Sequence, residues 1–134
     1  MNDRYLFRGK SKDDWVMGFY RETQGFNDTT LQLIHSIQLG CEDYEIDLAT
    51  LGQCTGLKDK NGKLIFEGDI IKDERGKIGQ VHYLPQECGY VVALSERDYR
   101  LGHRNRGYQY HDDFGLEVID NVHDNSELLE GAGA

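Results

Sequence analysis

The chain has 134 residues, 38% hydrophobic and 29% charged, with a formal net charge of −9 at pH 7. That size is one domain, or at most two small units sharing a core, and the composition is too apolar for a disordered chain and too charged for a membrane protein. No apolar run approaches the ~18 residues that cross a bilayer, and the polar start Met1-Asn2-Asp3-Arg4 lacks the core of a signal peptide, so the expected compartment is the cytoplasm.

Sixteen glycines and one proline punctuate the chain and point to strands and turns rather than helices. Strands are predicted at 5–8, 15–21, 31–37, 65–66, 69–73, 78–84, 89–94 and 116–122. The first two form a hairpin across the charged connection 10–14. In the second, Trp15, Met17 and Phe19 alternate with Val16, Gly18 and Tyr20, which leaves no face that prefers water and predicts a strand covered on both sides. Residues 31–39 fit period two and, in part, a helical turn; β-branched content and the preceding Asn27-Asp28-Thr29-Thr30 favour a strand. At the end, Asp124 with Glu127 three residues on reads as a capping pair before Leu128 and Leu129, a short helical turn, and 131–134 carry nothing to pack. No internal repeat is evident.

Charge is unevenly placed. Residues 22–57 carry six acids and no Lys or Arg, 107–134 carry seven acids and no base, and the segments 1–21 and 58–106 are each +2. An acidic chain of this kind is repelled by phosphate backbones, so generic nucleic-acid binding is disfavoured. Cys41, Cys54 and Cys88 form no Cys-x-x-Cys pair and read as buried or half-buried free thiols.

The segment 53–72 is the most heavily punctuated. Asn61-Gly62 is the pair that best tolerates positive φ at both centres of a tight hairpin turn, Glu67-Gly68-Asp69 makes a second reversal and Asp73-Glu74-Arg75-Gly76 a third. Short, strongly bent strands of this kind build small barrels.

Three stretches carry a resemblance: Tyr5-Leu6-Phe7-Arg8-Gly9-Lys10 with Trp15-Val16-Met17-Gly18-Phe19-Tyr20; Glu45-Ile46-Asp47 leading through Gly52-Gln53-Cys54-Thr55-Gly56-Leu57-Lys58-Asp59-Lys60-Asn61-Gly62 to Glu67-Gly68-Asp69-Ile70; and Leu116-Glu117-Val118-Ile119-Asp120-Asn121-Val122-His123-Asp124 with Asn125-Ser126-Glu127-Leu128-Leu129. In this order they resemble the YopX-type proteins of bacteriophages and prophages, with Trp15, Gly56, Asn61, Gly62, Gly68 and Asp69 as the structural signature. Cys54 stands where an aromatic is more usual, and Ser126 where proline is expected. The resemblance implies a mainly β fold, with an N-terminal β element over 1–52 and an SH3-type small barrel over 53–130; the composition of 131–134 reads as a disordered tail. The resemblance also implies a phage or prophage origin and supplies no reaction, since the family's function is undefined.

Sites for chemistry are few. His35, His82, His103, His111 and His123 show no metal-ligand spacing; His35 and His82 fall in predicted strands. His111-Asp112-Asp113 has the chemistry for a divalent ion or an acid–base pair, against the simpler reading of solvated turn residues. No serine sits in a nucleophile elbow, and Gly62 and Gly68 match no phosphate-loop spacing. No cofactor, metal or catalytic residue is expected. Between 94 and 116, Tyr99, Arg100, Arg104, Arg106, Tyr108 and Tyr110 interleave arginine with aromatics in a connection of about twenty residues, longer than compact domains use without a reason. Tyr and Arg lead at protein interfaces and also stack on bases. The expectation is a non-enzymatic protein-binding or regulatory module meeting a host or phage protein, with self-association as a further mode. The alternatives are a nucleic-acid-binding barrel and a metal-dependent enzyme using His111, Asp112 or Asp113.

Overall fold

The computed structural model describes residues 5–27, 30–73, 76–93, 98–100 and 116–132. The chain is mainly β, in two antiparallel sheets with one short helix, and divides into two compact units, residues 1–54 and 55–134.

In the first unit, β1 (Phe7–Ser11) and β2 (Asp14–Asn27) form the predicted hairpin through a two-residue turn with Lys12 at φ 59°. β3 (Thr30–Leu39) returns along β2, β4 (Glu42–Glu45) pairs with β3, and β5 (Asp47–Lys58) pairs with β1. Residues 31–37 are thus a strand, as their β-branched content favours. Val16, Ile37 and Ile46 are buried, with Phe7, Tyr20, Tyr44 and Leu51 packed against them. Gly18 allows β2 and β3 to approach: a Cβ there would stand 2.2 Å from the Gln38 carbonyl oxygen. The expectation that β2 is covered on both sides is not met. Val16 is buried, whereas Met17 and Phe19 are each 42% exposed, because Ile37 and Ile46 pack on one face only.

β5 passes between the units. Its buried positions are Thr50, Gly52 and Cys54, then Thr55, and Gly56 follows at φ 85°. The alternation therefore changes phase where the units divide. Cys54 is buried, but Cys41, in the turn after β3, and Cys88, which closes a 3-10 turn at φ 52°, are exposed, contrary to the expectation of three sheltered thiols.

The second unit holds β6 (Leu64–Phe66), β7 (Asp69–Lys72), β8 (Ile78–Leu84), β9 (Gly89–Ala93), β10 (Asp98–Arg100), β11 (Glu117–Asn121) and α1 (Glu127–Ala132). Its five-stranded sheet runs β10-β9-β8-β7-β11. Ile65, Ile71, Val81, Val92, Leu116 and Val118 form its core, with Tyr90 against them. No barrel closes among the described residues, although the arrangement is compatible with an SH3-like one. α1 takes in Gly131 and Ala132, which composition assigned to the tail; once a first helical turn exists, each added residue gains a backbone hydrogen bond.

The turn after β5 differs from the Asn-Gly hairpin expected. Gly62 is at φ 81° while Asn61 is not at positive φ. Gly62 N–H donates to the Asp59 carbonyl at 3.0 Å and Asp59 N–H to the Lys63 carbonyl at 2.8 Å, the pattern of a tight turn followed by a glycine bulge. The same bonds recur at Asp73: Gly76 N–H to the Asp73 carbonyl at 3.0 Å, and Asp73 N–H to the Lys77 carbonyl at 2.9 Å. Asp59 and Asp73 each begin an Asp-x-x-Gly-Lys turn, a short repeat that the pass along the sequence overlooked.

Candidate functional site

The signature residues are scaffold. Trp15 is half-buried, with the Arg8 guanidinium 5.0 Å and the Lys10 ammonium 5.6 Å from its ring centre, a cation–π arrangement on one face of the β1–β2 hairpin. Gly68, at φ 92°, donates its N–H to the Val81 carbonyl at 3.0 Å and accepts from Val122 N–H at 2.8 Å, tying the turn between β6 and β7 to β8 and to the residue after β11. Asp69 is 1% exposed and accepts from Phe66 N–H at 2.7 Å.

The residue that joins this scaffold together was not singled out beforehand. Asp59 is 2% exposed; its Oδ1 accepts from Asn61 N–H and Lys63 N–H, each at 2.9 Å, and its Oδ2 accepts from Val118 N–H at 2.9 Å. Burial pushes its carboxyl up, but the amides of Val118, Lys63 and Asn61 and the nearby Lys63 charge outweigh that and hold it below its ordinary value. Lys60 N–H adds a bond to the Leu116 carbonyl at 2.9 Å.

Of the arginine and tyrosine candidates, Tyr99 and Arg100 lie on β10, opposite Val92 and Val91 of β9, at one edge of the second sheet. A strand thus stands where a long connection was expected. Arg104, Arg106, Tyr108 and Tyr110 lie outside the described residues, as do His111, Asp112 and Asp113. Among the described residues no three His, Cys, Asp or Glu side chains form a group that could hold a metal ion, and no helix is long and apolar enough to cross a membrane.

The surface that sequence reading missed is on β2 and β3. β1 pairs with β2 only as far as Gly18, and β4 pairs with β3 only from Ser36 to Leu39. Beyond these limits β2 and β3 continue as a two-stranded ribbon to the Asn27–Thr30 pair. With period two, Leu31, Leu33, His35, Ile37 and Leu39 share a face; Ile37 is fully buried, whereas Leu31, Leu33 and Leu39 are 53%, 56% and 53% exposed. One apolar stripe is covered in the middle and bare at both ends, on the ribbon at Leu31 and Leu33 and beside β4 at Leu39. Register sets Gln24 opposite Leu33 and Phe26 opposite Leu31.

Where the ribbon leaves the sheet, the Tyr20 hydroxyl lies 2.6 Å from His35 Nδ1 and donates to Glu22 Oε1 at 3.1 Å. Burial, then the hydrogen bond to Glu22, raises the Tyr20 phenol above its ordinary value. On β4 the Tyr44 hydroxyl donates to Glu42 Oε2 at 2.5 Å, and this bond raises that phenol too. Each hydroxyl thus donates to a carboxylate two residues away on its own strand.

The model of the YopX protein family matches residues 6–130. The chain belongs to the YopX family. Among solved structures, this YopX-family chain is similar to the crystal structure of protein EF1440 from Enterococcus faecalis, with 23% identity over 92% of this chain and 96% of that one and a TM-score of 0.43. Among curated proteins none matches it.

Proposed function

We propose that this YopX-family chain is a non-enzymatic protein-binding module, an accessory protein of phage or prophage origin, and that its principal contact surface is the ribbon of β2 and β3. The observation that carries this reading is the exposure of Leu31 and Leu33 in line with the buried Ile37. A two-stranded ribbon is marginal in water without a further element on its apolar face, and exposed apolar surface rimmed by polar groups marks interaction sites. A second contact reading rests on Tyr99 and Arg100, whose place on the edge strand β10 suits recognition by strand addition or side-chain contact.

The test is co-purification from host cells of the wild-type chain, the double variant Leu31→Ser/Leu33→Ser and the double variant Tyr99→Ala/Arg100→Ala. The expected result is a specific partner retained by the wild type and lost with the leucines, while thermal stability stays within ~2 °C, since solvent-facing substitutions cost little. Retention with the leucine variant and loss with the β10 variant would transfer the contact surface to the second unit. Retention with both would overturn the proposal.

A further inference from the structure

Resting on the ribbon as the contact surface, we infer that its occupant is a short cationic segment of another protein, with apolar side chains for Leu31 and Leu33 and Lys or Arg for the carboxylates beside them. Three observations lead there. First, the stripe is continuous with the core: Leu31 and Leu33 repeat the face of Ile37, so the ribbon offers the next positions of a core that has no covering strand among the described residues.

Second, the charge on this face has one sign. Glu22 stands opposite His35 and Glu42 opposite Leu39, both carboxylates are solvent-facing, and the whole of 22–57 contains no Lys or Arg. Arg21, the nearest cation in sequence, alternates onto the opposite face, where it meets Asp43 at 3.1 Å. The Tyr20 hydroxyl ties one oxygen of Glu22, one same-face pair along from Leu33, and the Tyr44 hydroxyl ties one of Glu42, beside Leu39 at the other end of the same face. Complementary charge would set the register of an incoming segment and raise its association rate.

Third, the exposed Leu31, Leu33 and Leu39 lie in one line along a single strand, which suits an extended segment laid along it. A second copy of the chain laid on the same face would bring glutamates against glutamates, so like charge opposes that occupant.

Three synthetic eight-residue strand-type peptides test this on the intact chain: a Leu/Lys peptide that carries Leu and Lys on one face with Ser on the other, the same with Glu for Lys, and the same with Ser for Lys. Binding is read by fluorescence anisotropy, location by amide chemical shifts. The expected result is binding of the Leu/Lys peptide with shifts centred on Gln24, Leu31 and Leu33, about tenfold weaker in Leu31→Ser/Leu33→Ser, several-fold weaker in Glu22→Gln/Glu42→Gln, and weaker as salt rises from about 50 to about 500 mM. The Leu/Glu peptide should not bind. Equal binding of Leu/Ser and Leu/Lys peptides at the leucines would overturn the charge inference and leave the ribbon as the contact surface. Shifts elsewhere, indifference to the leucine variant, or no binding of any peptide would overturn both. A dimer in sedimentation that Leu31→Ser/Leu33→Ser dissociates would replace the cationic segment with a second copy.

Discussion

Replacing Asp59 with asparagine preserves the side chain's shape and exchanges one carboxylate oxygen for an amide NH2. The native carboxylate takes Asn61 and Lys63 N–H on Oδ1 and Val118 N–H on Oδ2. Asparagine has a single acceptor oxygen, so with that oxygen on the turn, Nδ2 faces Val118 N–H, donor against donor. A hydrogen bond to a charged acceptor contributes ~1.5–3 kcal/mol and an unsatisfied buried amide costs ~1–3 kcal/mol; these overlap, and weaker turn bonds add little, which gives a loss of ~3 kcal/mol. At roughly 3–4 °C per kcal/mol for a chain of this size, Tm falls by ~10 °C. Calorimetry measures the loss, and amide exchange localises it: Val118 should lose protection in Asp59→Asn while Ile37, in the other unit, keeps most of its own. A fall below ~0.5 kcal/mol, or a Val118 amide as protected as before, would refute the role assigned to Asp59.

The same carboxylate sets an acid limb. Its folded-state pKa lies below the ordinary 3.8, so its contribution is complete above that value and is lost as pH falls through the folded value. Urea titrations of wild type and Asp59→Asn should be well separated at pH 6, and the gap should shrink as pH falls below 3.8; a constant gap would show that ionisation is not involved. Gly68→Ala should cost ~2 kcal/mol, through backbone strain at φ 92° and a contact with His123 Nε2 at 3.3 Å, against ~1 kcal/mol for Gly62→Ala, at φ 81° with open space around it. Equal losses in chemical denaturation would contradict that ranking. Gly18→Ala should cost ~3 kcal/mol or more, because the obstructing atom is backbone and β2 must part from β3; a variant that unfolds with the wild type would disprove the close approach.

Much of the β architecture is legible in the residues. Period-two apolar positions give β3, short apolar runs between turn residues give β8 and β9, and the glycines after Asp59, Glu67 and Asp73 mark reversals of the chain. β4 and all of β5 escape notice because Glu42, Asp43, Glu45 and Asp47 are polar and Gly52 and Gly56 read as punctuation, and the apolar signal that identifies strands is weakest where a strand faces water on one side. The ribbon is harder still. Leu31 and Leu33 have the same period as the buried Ile37, and nothing local tells a leucine whether a neighbouring strand will reach it; that depends on where β1 and β4 end. The absence of Lys and Arg over 22–57 was the available sign, and it gains meaning only once register puts Glu22 and Glu42 beside the stripe. Asp59 was hidden for a related reason: Asp-x-x-Gly-Lys discloses a turn, but a partner 59 residues away leaves no trace in spacing.

The change of phase in β5 has a consequence for how this sequence can vary. In an unbroken strand, adding one residue turns every later side chain to the other face and adding two restores them. Here Cys54 and Thr55 are both inward, and Gly56 follows with the backbone geometry that allows the alternation to restart. The residue count within this strand therefore matters up to Gly56. A crossover between related genes within this strand must keep that count through Gly56.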